Sequence, residues 1–246
     1  NKRMYLDWLA SAMIRLEQFF QYFDNSPHQR AAIQRLQEDM PPELLEHDAE
    51  WFEIWKSGGK LLPFKIPYFS QYELENGYRK CFTSAMGMIA AHYGVITEHQ
   101  QYDQVRIKYG DTTDVTAQLK ALDELELHAE FVQDGTEDLI EAEIDSGRPI
   151  AVGWLHKGDI STGRPAEGFG HWSVIIGYTE NFFIMHDPRG EHDIQRGKLL
   201  KHGEGAGVFY DRKDFLHRWM PEGPRSGWAI IVDAYKPLLI EPTAQP

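Results

Sequence analysis

Cysteine is almost absent from this chain: Cys81 is the only one in 246 residues. An internal disulfide is therefore excluded, and so is any metal site built from paired cysteines. Basic residues are also scarce, with 25 Lys and Arg against 38 Asp and Glu and a formal charge of −13. Such a chain is a poor partner for nucleic acid or an anionic membrane, since both require a basic surface. Long apolar runs are missing. The most apolar early stretch, residues 4–23, is interrupted by Asp7, Arg15, Glu17 and Gln18, so no membrane span or signal-type segment is expected. The sequence has no HExxH, no G-x-S-x-G and no phosphate-binding glycine loop. These absences leave a soluble protein, cytoplasmic or secreted, without disulfides. Its 42% hydrophobic content is enough for a real core.

What is present concentrates around that single thiol. After Cys81, residues Phe82, Ala85, Met86, Ile89, Ala90 and Tyr93 recur at helical spacing, and Gly94 offers a C-cap. A cysteine at a helix start sits among unpaired N–H groups at the positive end of the helix dipole, which favours thiolate. Arg79 and Lys80 are expected to push the same way. A buried structural thiol is the bland alternative, and a nucleophile needs a base and an orienting group from elsewhere.

Residues 1–58 read as a helical N-terminal extension, separate from a domain spanning 59–246. An apolar stripe (Leu6, Leu9, Met13, Leu16, Phe20) and a Ser26-Pro27 helix start support this. Trp51 and Trp55 make that extension a candidate docking module for a protein partner, though core packing explains such residues more often. Beyond Gly59 the expected order is an extended lead-in over 62–69, the Cys81 helix and a helix over 97–109. A third helix capped by residues 111–113 follows, then a strand from Leu127, a short helix capped by Thr136 and a buried strand over 149–154. Residues 156–170 read as a polar loop. Two strands, 171–178 and 182–187, then form a hairpin about Glu180-Asn181. Residues 191–206 read as irregular, followed by a helix over 211–219 and a final strand over 227–232. Helices first and strands last give an α+β class.

Across that hairpin the start of one strand and the end of the next are neighbours, which is expected to bring His171 and Asp187 together. An imidazole able to exchange a proton with Cys81, oriented by a carboxylate, is the constellation a thiol nucleophile needs. The backbone N–H of Cys81 and the side-chain amide of Gln71 are the candidate oxyanion donors. His186, Asp187, His192 and Asp193 form a competing zinc-type cluster, disfavoured because no ligand spacing supports it. His186 should point away from Asp187, as adjacent strand residues do.

Pro67-Tyr68-Phe69-Ser70-Gln71, Cys81 with Thr83-Ser84-Ala85-Met86, Gly170-His171-Trp172-Ser173-Val174 and Asp187-Pro188-Arg189-Gly190 stand in an order that resembles the bacteriocin-processing, double-glycine-leader cysteine peptidases, in their stand-alone form. The resemblance spans roughly residues 62–233. It implies a papain-like fold with a helical lobe and an antiparallel β lobe. It also implies Cys81 as nucleophile, His171 as base, Asp187 as orienter and Gln71 in the oxyanion hole, with no metal or organic cofactor and a peptide or protein as substrate. Phe82 departs from the family, which usually has glycine there. Other readings of the same fold are a transpeptidase resembling phytochelatin synthases, an endopeptidase of peptidoglycan cross-links, and a non-catalytic peptide- or wall-binding module.

Overall fold

The computed structural model describes residues 59–62 and 66–234. The expected helical extension over 1–58 lies outside the described residues, as does part of the lead-in segment. In chain order the elements are β1 (Lys60–Leu61), α1 (Cys81–His92), α2 (His99–Arg106), α3 (Val115–Glu124), β2 (Leu127–Gly135), α4 (Glu137–Asp145), β3 (Ile150–Lys157), β4 (Glu167–Tyr178), β5 (Phe182–His186), β6 (Gly190–Asp193), β7 (Lys198–His202), β8 (Val208–Asp211), α5 (Arg212–Trp219) and β9 (Gly227–Ala234). Short 3₁₀ turns cover Gln71–Glu73, Gly77–Arg79 and Ile160–Thr162. Helices before Leu127 and an antiparallel sheet after it give the α+β layout with a helical lobe and a β lobe.

The main sheet runs β2-β9-β3-β4-β5-β8, with β1 paired to β4. The last described strand thus inserts between β2 and β3. Strands β3 and β4 are buried along most of their length without polar alternation, because helices cover both faces. Cross-strand pairs set the two faces: Gly153 opposes Trp172, and Trp154 opposes His171. On one face Trp172 lies over Gly153, where a Cβ would come within 3.0 Å of the indole, and stacks on Phe82 of α1. On the other, Trp154 packs edge-on against Phe215 of α5.

Helix α1 is buried from Phe82 to Ala90 on every side, as a central helix is, and is apolar there apart from Thr83 and Ser84. It ends at Tyr93, and Gly94 takes the left-handed conformation (φ 73°) expected of a C-cap. Asp114 caps α3 in place of the residues 111–113 expected to do so. Asp111 instead closes its own turn onto Thr113. Thr136 caps α4, accepting from Leu139 N–H, and Asp211 caps α5.

Two segments expected to be irregular are not. β3 continues through His156 to Lys157, and β4 already begins at Glu167, so the loop between them shrinks to 158–166. Residues 190–202 form the β6–β7 hairpin, a second sheet of two strands. Arg218, wholly buried, ties this region down by donating to the main-chain carbonyls of Leu155, Lys157, Gly158, Ile194 and Gln195. Five carbonyls take the place of a carboxylate partner and satisfy the guanidinium's donors.

Candidate active site

Cys81 is the first residue of α1 and is only partly buried. The helix start has no side-chain cap and no acidic residue in its first turn, so its free N–H groups and positive dipole end are not neutralised locally. The turn is held from outside. Thr83 Oγ lies 2.7 Å from Thr112 Oγ and accepts from Gln118 Nε2, while Ser84 Oγ donates back to Lys80 O. Arg79 and Lys80, expected to act on the thiol, are each held by a carboxylate. Arg79 pairs with Asp111 at 2.8 Å, and Lys80 binds both oxygens of Asp103.

The partners of Cys81 come from β4. His171 and the main-chain N–H of Trp172 lie close enough to the thiol to act on it electrostatically. His171 Nε2 is 2.6 Å from Asp187 Oδ1. That contact leaves Nδ1 as the ring nitrogen not engaged by Asp187. Burial alone would raise the thiol, but the His171 hydrogen bond and charge and the Trp172 N–H outweigh it and lower Cys81 below its usual value. Burial likewise works against a charged imidazole. The Asp187 charge and hydrogen bond overcome it, with help from Cys81, and raise His171 to about 10. The two shifts run in opposite directions, the thiol down and the imidazole up, and both favour the charged form of the pair.

Asp187 is completely buried and would be costly as a bare anion. Four donors compensate it. Oδ1 takes His171 Nε2 and the Arg189 N–H at 3.0 Å, and Oδ2 takes Tyr210 OH at 2.9 Å and His192 Nδ1 at 3.0 Å. Burial would raise this carboxyl, but the charges and hydrogen bonds of His171 and His192 hold it far below the ordinary carboxylate range. Its main chain is fixed too. Asp187 N–H donates to Gly205 O, and Tyr68 OH donates to Asp187 O.

His192 and Tyr210 are members of this cluster that the sequence reading did not assign to it. His192 sits on β6, in the segment read as irregular, so its position beside Asp187 was not visible. His156 is the third addition. Its ring centroid is 5.4 Å from that of His171 and 5.9 Å from that of His192. Its Nδ1 contacts Phe169 O at 3.0 Å. Burial first, then the charges of His171, Arg189 and His192, push it down to about 3, so it is neutral.

Gln71 is 1% exposed. Its Nε2 donates to Gly77 O at 2.8 Å, and its main-chain N–H donates to Pro188 O, beside Asp187. The two short turns between Gln71 and Lys80 fold the loop onto itself so closely that a Cβ on Gly77 would lie 2.3 Å from Gln71 O. His171 thus stands between Cys81, on which it acts electrostatically, and Asp187, to which it is hydrogen-bonded. Gln71 is anchored beside Pro188 and in the loop that ends at Cys81.

The zinc-type cluster does not assemble as ligands. Both ring nitrogens of His186 face main chain, Nε2 towards Ile66 O and Nδ1 towards Gly207 N–H. Asp193 closes a turn onto the Gln195 and Arg196 N–H groups. His171, Asp187 and His192 do lie within ligand-like distance of one another, but they are bonded directly to each other.

Among solved structures, the peptidase domain of Streptococcus ComA, a bi-functional ABC transporter, is 17% identical, with 70% of this chain and 100% of that chain covered and a TM-score of 0.48. A Bacillus anthracis chain described as a C39-like peptidase is 14% identical, covering 72% of this chain and 98% of that one at a TM-score of 0.49. A cysteine protease of Carica candamarcensis is 11% identical, covering 69% and 93% at 0.44. No curated protein matches the sequence. A profile described as the Peptidase_C39 like family matches residues 64–219, a span that runs through Gln71, Cys81, His171 and Asp187. That match takes in well over half of the 246 residues, and by it the chain belongs to the peptidase C39-like family.

Proposed function

We propose that the protein is a cysteine peptidase that cleaves peptide bonds through an acyl-enzyme. The observation that carries this reading is the chain Cys81–His171–Asp187, with the sulfur at a partly open helix start and the carboxylate sealed behind the ring. The Cys81 thiolate attacks the carbonyl carbon. The developing oxyanion is met by the Cys81 main-chain N–H and by the Gln71 amide, whose second N–H is not used by Gly77. His171 Nδ1 gives its proton to the leaving amine, and the C–N bond breaks to leave a thioester. Neutral His171 then takes a proton from water, the hydroxide attacks the thioester, and the thiolate departs. Asp187 keeps Nε2–H fixed throughout and stays ionised.

The test is digestion of a peptide library by the native protein and by Cys81→Ala. New amino termini that form only with the native protein support the reading. Identical peptide patterns from the two proteins, with Cys81 alkylated by iodoacetamide no faster than an ordinary exposed thiol, would remove it.

A further inference from the structure

His99 is the first residue of α2 and is 2% exposed, yet neither of its ring nitrogens has a hydrogen-bond partner among the described residues. The ring lies flat on Phe69, with centroids 4.8 Å apart and planes 9° from parallel. Helix α1 closes in on both rings: a Cβ on Gly87 would lie 3.4 Å from His99 and 3.5 Å from Phe69. Glu73 faces the same ring. Its Oε2 is 3.4 Å from His99 Nδ1, and its Oε1 accepts the Ser70 N–H, also at 3.4 Å. A buried imidazole without a hydrogen bond is uncommon and calls for a role.

The residues in contact with His99 are those that hold Gln71. Ser70 caps the Gln71–Glu73 turn, and Glu73 closes it back onto Ser70. Within the turn Glu73 N–H donates to Ser70 O and Leu74 N–H to Gln71 O, while Gln71 N–H reaches across to Pro188 O. The other charges acting on the ring are Asp103 of α2 and Lys80 ahead of α1, which bind each other. Tyr102, the remaining titratable neighbour, directs its hydroxyl to Gln118. A cation at His99 would be buried, set at the positive end of α2 and repelled by Lys80. Burial is the largest influence and pushes His99 down, against the pull of Glu73 and Asp103, so the fold favours the neutral ring.

We propose that His99 is a positioning residue that makes the Gln71 turn sensitive to acid. Neutral, the ring is a flat support for Phe69 and leaves Glu73 to close the turn on Ser70. Protonated, it is a buried cation that must draw in the Glu73 carboxylate or reach water. The first move disturbs the closure on Ser70 and the second disturbs the stack on Phe69. Either way the turn loosens and Gln71 is no longer held. The effect on catalysis rests on the peptidase reading above, whereas the effect on the turn rests on packing alone. The sign follows from the lowered ring: the support is complete above the ordinary histidine value of 6.5 and is lost as pH falls below it.

The experiment uses the full chain, as the native protein, His99→Phe and Glu73→Gln, after thermal unfolding confirms that each variant is folded. His99→Phe keeps a flat ring on Phe69 but cannot take a proton. Hydrogen exchange of the Gln71, Glu73 and Leu74 amides, corrected for the intrinsic effect of pH, is followed from about pH 7.5 down to about pH 5. Native protection should fall by about tenfold or more across this range, and His99→Phe should keep it. Glu73→Gln removes the main pull towards the charged ring, so its loss of protection should begin at lower pH. Hydrolysis of one library peptide that the native protein cleaves is measured over the same range, together with alkylation of Cys81. Native kcat should fall on the acid side with the slope of one proton, about tenfold per pH unit, while alkylation stays fast. In His99→Phe kcat should match the native value at about pH 7.5 and hold up in acid. Native protection that does not change with pH, or that falls equally in His99→Phe, overturns the proposal. So does an acid limb of kcat that His99→Phe retains, or one that alkylation follows in step, because that limb belongs to the thiol. Absence of any Cys81-dependent hydrolysis removes the peptidase reading, and the exchange data then decide the coupling of His99 to the turn by themselves.

Discussion

Phe82 and Trp172 stack face to face, with ring centroids 3.9 Å apart and planes 2° from parallel. Each is the residue directly after a member of the Cys81–His171 pair. The stack therefore fixes the distance between the start of α1 and β4, and it also holds the Trp172 main chain, whose N–H helps lower the thiol. Phe82→Ala should cost about 3–5 kcal/mol, as large aromatic truncations in cores do. It should also slow iodoacetamide alkylation of Cys81 at pH 6, because a loosened pair no longer shares its proton. Phe82→Leu keeps most of the volume and should cost about 1.5 kcal/mol or less. Urea unfolding and alkylation rates measure both effects. An undiminished alkylation rate in folded Phe82→Ala would show that the stack serves stability only.

The ionisation of the pair predicts the pH behaviour. Cys81 is lowered and His171 raised to about 10, so both shifts favour the thiolate–imidazolium form. Native alkylation should stay fast well below the ordinary thiol range. Hydrolysis should fall at alkaline pH as His171 loses the proton it gives to the leaving amine. Asp187→Asn removes the charge that raises His171, so the alkaline limb should move to lower pH. The signs for stability follow. His171, raised in the fold, stabilises it fully below about pH 6.5 and loses that contribution as pH rises through about 10. Asp187, lowered in the fold, stabilises it above its unfolded value near 3.8 and loses this as pH falls. Native urea midpoints should therefore be highest between these limits, with the difference from Asp187→Asn shrinking towards acid.

Gln71 acts on the transition state in this reading, not on the thiol. Gln71→Ala should lower kcat by roughly 10²–10³, the usual effect of losing one oxyanion donor. KM and the rate of Cys81 alkylation should change little. A variant that alkylates slowly and hydrolyses slowly in the same proportion would place Gln71 in loop structure instead. The 1%-exposed side chain and its bond to Gly77 O make that a fair contest.

The parts of this arrangement that were legible in the sequence are those set by local rules. The helix after Cys81 follows from apolar spacing and Gly94. The meeting of His171 and Asp187 follows from a short turn between two apolar strands, where Thr179 Oγ accepts from the Asn181 and Phe182 N–H groups. What could not be read depends on long-range pairing. Strand β6 carries Glu191, His192 and Asp193 and shows no apolar alternation, so nothing local marked it as a strand. It forms because Gly190 and Gly205 permit backbone contact: a Cβ on Gly190 would lie 1.8 Å from Lys201 O, and one on Gly205 would lie 2.0 Å from Asp187 O. Glycines in a polar stretch suggest a loop, and here they mark close approach. The same error hid His156, on the extended end of β3.

His192 and Tyr210 are the residues this oversight concealed, and their arrangement makes its own prediction. Tyr210 OH donates to Asp187 Oδ2 and accepts from the His192 N–H, while His192 Nδ1 contacts the same oxygen. The two act on the reaction only through Asp187, as positioning residues. Tyr210→Phe removes one donor from the carboxylate and orphans the His192 N–H, at a cost of about 1–3 kcal/mol in stability. With less hydrogen bonding, the carboxylate becomes more basic and holds the His171 proton more firmly. The alkaline limb should then move to higher pH while kcat falls and KM is kept. His192→Asn, which can still offer an N–H to Oδ2, should shift the limb less than His192→Ala. A merely structural role would lower stability in all three variants and leave the limb where it is, and pH profiles of kcat and kcat/KM measured on the folded fraction distinguish the two.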